Sequence, residues 1–220
     1  VSIIMRLSIL IIIAFFSAIL TPTHASNFNL DTGFAADASK YNKTLINAVS
    51  KAGPRLIGVG IHGIIIYSDD NGTNWEQASV PTTKTLTDID CINKNVCWAT
   101  GHDAYILKTT DRGQNWIIQY QDEIFDAPLL SISMFNENAG IAVGAFAKSL
   151  MTTDGGNTWK DFFVTEDEFQ PHLNNVLVNG QNAYVTGELG LFYHSTDQGL
   201  NWSIFETGYT GSLWSSLLIS

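Results

Sequence analysis

Ser68-Asp69-Asp70-Asn71-Gly72-Thr73-Asn74-Trp75 is matched by Thr109 to Trp116, Thr152 to Trp159 and Ser195 to Trp202, all on the pattern Ser/Thr-x-Asp-x-Gly-x-Asn/Thr-Trp. The tryptophans recur at intervals of 41, 43 and 43 residues. Each octet follows a strand-like run, such as Ile64 to Tyr67 or Leu191 to His194, and each run follows a turn. Those turns are Gly60-Ile61-His62-Gly63, Gly101-His102-Asp103-Ala104, Gly144-Ala145-Phe146-Ala147 and Gly187-Glu188-Leu189-Gly190. Two more strand-like runs precede each turn, for example Leu129 to Phe135 and Gly140 to Val143. Four short strands in a unit of about 42 residues is the period of a propeller blade, whose sheet must bury its faces against neighbouring blades. The sequence therefore predicts an all-β fold, a β-propeller of four-stranded blades covering residues 44–220.

The octets have mechanical jobs at the hairpin between third and fourth strands. Gly72, Gly113, Gly156 and Gly199 can take the positive φ that such a turn demands. The carboxylates of Asp70, Asp111, Asp154 and Asp197 can accept backbone N–H groups of the same turn. Trp75, Trp116, Trp159 and Trp202 offer large apolar bodies for packing between blades. Four equivalent aspartates at four separate perimeter turns cannot converge on one substrate, so their role reads as structural rather than catalytic.

At the other end of the repeats, the pattern Leu173-x-x-Val176-x-Val178 that opens the fourth blade returns as Trp214 to Ile219. This reads as the first strand of a fifth blade, and the segment as the N-terminal part of a longer propeller. A closed four-blade ring with a short tail is the alternative.

Ahead of the repeats, Met5-Arg6 precedes an apolar run from Leu7 to Leu20 that ends at Thr23-His24-Ala25. One positive charge, a short apolar core and small residues before the break read as a signal peptide over residues 1–25, with an uncleaved anchor as the alternative. Residues 26–43 form a lead-in segment. The expected location is periplasmic or secreted, with no membrane span after signal removal.

The formal net charge of the chain is −10, and Arg55 and Arg112 are the only arginines beyond the signal. Nucleic acid is thereby excluded as an expected partner, because phosphate binding needs clustered Lys and Arg. No cofactor motif and no local His spacing for a metal is present. Cys91 and Cys97 flank Asn93-Lys94-Asn95, which reads as a hairpin turn. In an oxidising compartment they can pair across it, the alternative being two small buried side chains. The next blade has Met134 and Gly140 at the equivalent places, so the fold does not demand a bridge.

In a propeller the turns between second and third strands share one end of the ring with the links between blades, opposite the octets. The residues expected there are His62, His102, Asp103, Phe146 and Glu188 from the turns, with Asp122, Glu123, Phe125, Glu166, Phe169 and His172 from the links. The apolar members suit a partner-docking rim within a polar surround. A solvated acidic surface and a metal or catalytic site are the competing readings.

Octets of this kind with Gly-x-x-Gly turns and a leading secretion signal make residues 44–220 resemble the BNR-repeat (Asp-box) family that includes the photosystem II stability and assembly factor. The resemblance implies a seven-bladed propeller, of which this segment covers about four blades, and a non-enzymatic protein that holds newly made membrane-protein subunits in the thylakoid lumen or periplasm. It also implies an arginine-rich client face, from which this chain departs. Asp boxes occur as well in sialidases, other glycoside hydrolases and sorting receptors. A sialidase needs three arginines on the substrate carboxylate, a tyrosine nucleophile with a glutamate, and an acid aspartate. Two arginines cannot supply that triad. A glycoside hydrolase with catalytic residues in blades beyond this segment is the alternative to the scaffold.

Overall fold

The computed structural model describes residues 33–36, 44–122, 124–164 and 169–219. The apolar runs pair antiparallel in chain order into four sheets of four strands. The first blade holds β1 (Ile46–Ala52), β2 (Arg55–Gly60), β3 (Ile65–Ser68) and β4 (Glu76–Gln77). The second holds β5 (Leu86–Cys91), β6 (Cys97–Gly101), β7 (Ile106–Thr109) and β8 (Ile117–Tyr120). The third holds β9 (Leu129–Met134), β10 (Gly140–Gly144), β11 (Ser149–Thr152) and β12 (Lys160–Asp161). The fourth holds β13 (Leu173–Asn179), β14 (Asn182–Gly187), β15 (Phe192–Ser195) and β16 (Ser203–Ile204).

The hydrophobic core lies in the seams between blades. β6 and β10 are buried at every position because both of their faces are covered, whereas β1 alternates between half-buried and exposed residues on the open side of the first blade. Ile57 and Val59 meet Leu86, Ile89 and Trp116 in the first seam. Trp98 and Ile106 meet Leu129, Ile132 and Trp159 in the second, and Ile141 and Val143 meet Leu173, Val176 and Trp202 in the third. Each octet tryptophan thus packs toward the preceding blade. Trp75 departs from the expectation: it is 40% exposed, against 3% for Trp116, because no blade precedes it among the described residues.

The octets close as their composition predicts. Ser68 Oγ donates to Asp70 and accepts the Gly72 N–H, while Asp70 accepts the Asn74 N–H and side-chain amide. The same bonds recur at Thr109/Asp111, Thr152/Asp154 and Ser195/Asp197, with Thr158 standing in for asparagine in the third. Hydrogen bonds from Asn74 hold Asp70 down at about 2, and those from Asn201 do the same for Asp197. The octet glycines combine positive φ with close approach. A Cβ on Gly113 would lie 2.6 Å from Ile57 of the preceding blade, and one on Gly199 2.7 Å from Ile141.

Cys91 and Cys97 face each other across the hairpin and are joined by a disulfide. In the third blade the Met134 side chain covers Gly140 at the same place. The segment expected to open a fifth blade, Trp214 to Ile219, forms no strand among the described residues. It nevertheless lies along β13: Leu213 donates to the Gly187 carbonyl and accepts from Asn174, and Ser216 donates to Asn175 through both N–H and hydroxyl. Residues 33–36 of the lead-in join the first blade through Ala35 N–H to Val80 and Ala36 N–H to His62. The signal segment, residues 1–25, lies outside the described residues.

Candidate functional site

Backbone hydrogen bonds bring the turns between second and third strands to the links between blades. His102 donates to the Thr85 carbonyl, Ala145 to Pro128 and Glu188 to His172, and the turn residues Ala104 and Ala147 donate to Ala127 and Pro171. A side chain at the first glycine of each turn would run into the backbone just ahead of the innermost strand, at Leu45, Thr85, Pro128 or His172. The third residue of each turn takes a left-handed conformation: His62 (φ 57°), Asp103 (55°), Phe146 (54°) and Leu189 (55°). Such a backbone in a non-glycine residue is held only where its surroundings over-determine it. Phe146 and Leu189 are more than half exposed at these tips, and His62 is exposed as well.

The third and fourth blades assemble five of the expected site residues. Phe146 stands edge-on to Phe125 at 6.5 Å and to His172 at 5.0 Å. Glu188 accepts the His172 N–H at 2.9 Å and lies 3.6 Å from its ring nitrogen. Asp122 caps the link by accepting the N–H groups of Ile124 and Phe125, and it pairs with Lys148 at 3.2 Å. Partial burial pushes the Asp122 carboxyl up, but those N–H groups and the ammonium outweigh it and hold it below the ordinary range. Lys148 also pairs with Asp161 at 2.7 Å and sits 4.9 Å from the Phe125 ring. Phe169 is exposed in the next link. Phe125 is half-buried and packs on the core of the second seam.

His62, His102 and Asp103 belong to the first two blades, where Asp103 pairs with Lys84 at 2.5 Å. Among the described residues no three His, Cys, Asp or Glu side chains gather closely enough to hold a metal. Glu123 and Glu166 lie outside the described residues.

Both arginines sit at the opposite end, with the octets. Arg55 is 4% exposed; it grips Asp69 with two nitrogens at 2.8 and 2.5 Å and donates a third bond to the Arg112 carbonyl. Arg112 reaches Asp69 as well, at 3.3 Å. The bonded Arg55 guanidinium lowers the pKa of Asp69. Neither arginine faces the links.

A polar belt on the innermost strands was not foreseen from sequence. Each of these strands carries a register shift near its start, between Ile46 and Ala48 and between Leu86 and Asp88, for example. Such a bulge re-aims the extra residue. Asn47, Thr87 and Asn174 at this position each donate to a carbonyl one repeat on, at Leu86, Leu129 and Leu213. One residue later Asp88 accepts from Ser131 Oγ, which in turn accepts from Asn175. The bulge residues line a cleft of about 390 Å³ together with His102 and Trp214. Superposing the four repeats aligns these positions, but the third blade has Leu130 where the others have Asn47, Thr87 and Asn174, so no common residue type signals them.

Comparison with known proteins agrees with this architecture. The family model described as photosynthesis system II assembly factor YCF48 matches residues 120–208, and the BNR/Asp-box repeat model matches residues 66–77. A structure described as YCF48 bound to D1 peptide superposes with a TM-score of 0.61 at 17% identity, covering 78% of this chain and 58% of that one. YCF48 from Cyanidioschyzon merolae gives 0.58 at 16% identity, over 73% and 56%. An ancestral GH74 enzyme gives 0.54 at 14% identity, over 78% of this chain and 23% of its own. Seventy-five residues are 37% identical to the uncharacterized protein YkuO of Bacillus subtilis (strain 168), 34% of this chain and 25% of that protein. The chain thus spans little more than half the length of the YCF48 structures and a quarter of YkuO. By its repeated octets and its four sheets the chain is an Asp-box β-propeller, and over residues 120–208 it is similar to the family described as photosynthesis system II assembly factor YCF48.

Proposed function

We propose that the chain is a non-catalytic, exported scaffold that binds a protein partner through the end of the ring formed by turns and links. The observation that carries this reading is the ridge Phe125–Phe146–His172, on which Phe146 is 52% exposed although its backbone is held in a left-handed conformation by the neighbouring link. An aromatic fixed in place and ringed by polar groups is the composition of a binding anchor, because little side-chain freedom remains to be lost on docking. The likeness to a YCF48 structure that holds a D1 peptide supports a polypeptide as the ligand, and a membrane-protein complex under assembly as its source. If the host is photosynthetic, the compartment is the thylakoid lumen.

The non-catalytic reading is supported by the two arginines. Both are engaged with Asp69 at the octet end, so neither is placed to grip a substrate carboxylate among the ridge residues. The four octet aspartates are likewise bound within their own turns.

A photo-reactive amino acid introduced at Phe146, and separately at exposed Thr73 in the first octet, tests the proposal in the native host. Protein adducts from position 146 and none from position 73 are expected. Equal adducts from both, or adducts from position 73 alone, would place binding elsewhere.

A further inference from the structure

We propose that Asn179 is a site of spontaneous deamidation, its side-chain amide being converted to a carboxylate after attack by the backbone nitrogen of Gly180. The chain holds two Asn-Gly pairs, Asn71-Gly72 in the first octet and Asn179-Gly180 at the tip of the hairpin joining β13 to β14. Glycine favours the reaction at both, because no side chain screens its nitrogen. The structure separates them. The Gly72 N–H donates to Ser68 Oγ at 2.8 Å, so the nitrogen that would attack is committed to the octet. Gly180 lies beyond the last ladder pair, Asn179 with Asn182, and its N–H meets no acceptor among the described residues. Asn179, Gly180 and Gln181 are all exposed, and nothing lies within 4 Å of where a Cβ on Gly180 would stand.

The corresponding tips of the second and third blades are closed differently. Asn93 Oδ1 accepts the N–H groups of Asn95 and Val96, and Asn136 Oδ1 those of Asn138 and Ala139, which ties each amide into its own turn. Lys94 and Glu137 follow those asparagines and carry side chains. The Asn179 side chain makes no such bond among the described residues. A solvent hydroxide removes the Gly180 amide proton; the nitrogen bonds to Cγ of Asn179, the Cγ–Nδ2 bond breaks, and Nδ2 leaves as ammonia with a proton taken from water. Water then opens the cyclic succinimide at either carbonyl and leaves aspartate or isoaspartate at position 179. Water enters, ammonia leaves, and nothing is oxidised or reduced. Because the Gln198 N–H donates to the Gln181 carbonyl, the new charge stands at the octet end, away from the ridge.

The protein is incubated in mildly alkaline buffer, native and in parallel in urea, and its peptides are mapped by mass spectrometry with isoaspartate resolved from aspartate. In the native protein, position 179 is expected to convert to both products at least about tenfold faster than position 71, the factor that one retained hydrogen bond is worth. In urea the two Asn-Gly pairs are expected to convert at similar rates, since the bond to Ser68 is gone. Asn179→Gln should abolish the fast native conversion and leave the urea midpoint unchanged. Native conversion at position 71 as fast as at position 179 would show that sequence alone decides, and would overturn the inference. Retention of the native amide at position 179, whatever the unfolded chain does, would overturn it too, because the hairpin then holds the nitrogen off Cγ. Aspartate formed without isoaspartate would overturn the route through Gly180.

Discussion

Trp98 of the second blade stands against Gly156 of the third, with its Nε1 3.0 Å from where a Cβ on that glycine would lie. Ile57 bears the same relation to Gly113, and Ile141 to Gly199. The side chain one repeat back fills the space over the octet glycines of the second, third and fourth blades, so these octets are both a turn and the socket of a seam.

Substitution of the socket glycines should therefore cost more than turn strain alone. Gly113→Ala and Gly199→Ala combine a positive φ with a collision against an isoleucine, and each is expected to lower unfolding free energy by ~2 to 4 kcal/mol. Gly72→Ala meets only the edge of Trp75, at 3.5 Å, and should cost about 1 kcal/mol. Urea midpoints of the three variants give the comparison.

The tryptophans should separate in the same way. Trp116→Ala empties a position 3% exposed and is expected to cost ~3 to 5 kcal/mol, whereas Trp75→Ala, at 40% exposed, should cost about 1 kcal/mol. Equal losses in denaturant unfolding would mean that the first seam is not the core of the blade pair.

The octet carboxylates tie the stability of the fold to pH in the acid range. Asp70 and Asp197 are held at about 2, below their ordinary unfolded value of roughly 3.9. Their stabilisation is complete above the unfolded value and is lost as pH falls through about 2. An acid titration followed by circular dichroism should show the β signal surviving pH ~4 and failing nearer pH ~2, with a shallower acid dependence in Asp197→Asn.

Asp88 works in the opposite sense. Burial pushes its carboxyl up, outweighing the N–H groups of Ile132 and Ile89 and the Ser131 hydroxyl, and Asp90 beside it is also raised, by burial and by Asp88. A raised folded value favours the fold below the unfolded pKa, and that advantage is lost as pH rises through the folded value. Asn175, two residues into β13 as Asp88 is into β5, makes the corresponding contact to Ser216 without a charge. Asp88→Asn is therefore expected to reduce the fall in Tm as pH rises above the unfolded carboxylate value of roughly 3.9, and an unchanged slope would assign that fall to other groups.

The frame was legible in the sequence because it repeats: Asp70, Asp111, Asp154 and Asp197 sit at one spacing, and a hydrogen-bonded turn is a local property. The ends of the ring followed from strand order. Contacts at the ridge were less legible, because the Phe125–Phe146–His172 alignment joins two links and a turn whose residues differ from blade to blade. The half-burial of Phe125 beside Tyr120 and Ile132 is decided by the packing of the second seam, which the residues of the link do not show. The bulge at Asn47, Thr87 and Asn174 left no signal in apolar alternation, since it breaks that alternation by one residue.

Partner capture measured beside Tm, for Phe146→Ala/Phe169→Ala and for Trp116→Ala, tests the division between docking ridge and structural frame most directly. The ridge variant should unfold within about 2 °C of the parent while losing its cross-linked partner, and Trp116→Ala should lower Tm by about 10 °C or more. Capture that survives loss of both phenylalanines, or a ridge variant that unfolds as early as Trp116→Ala, would contradict the account.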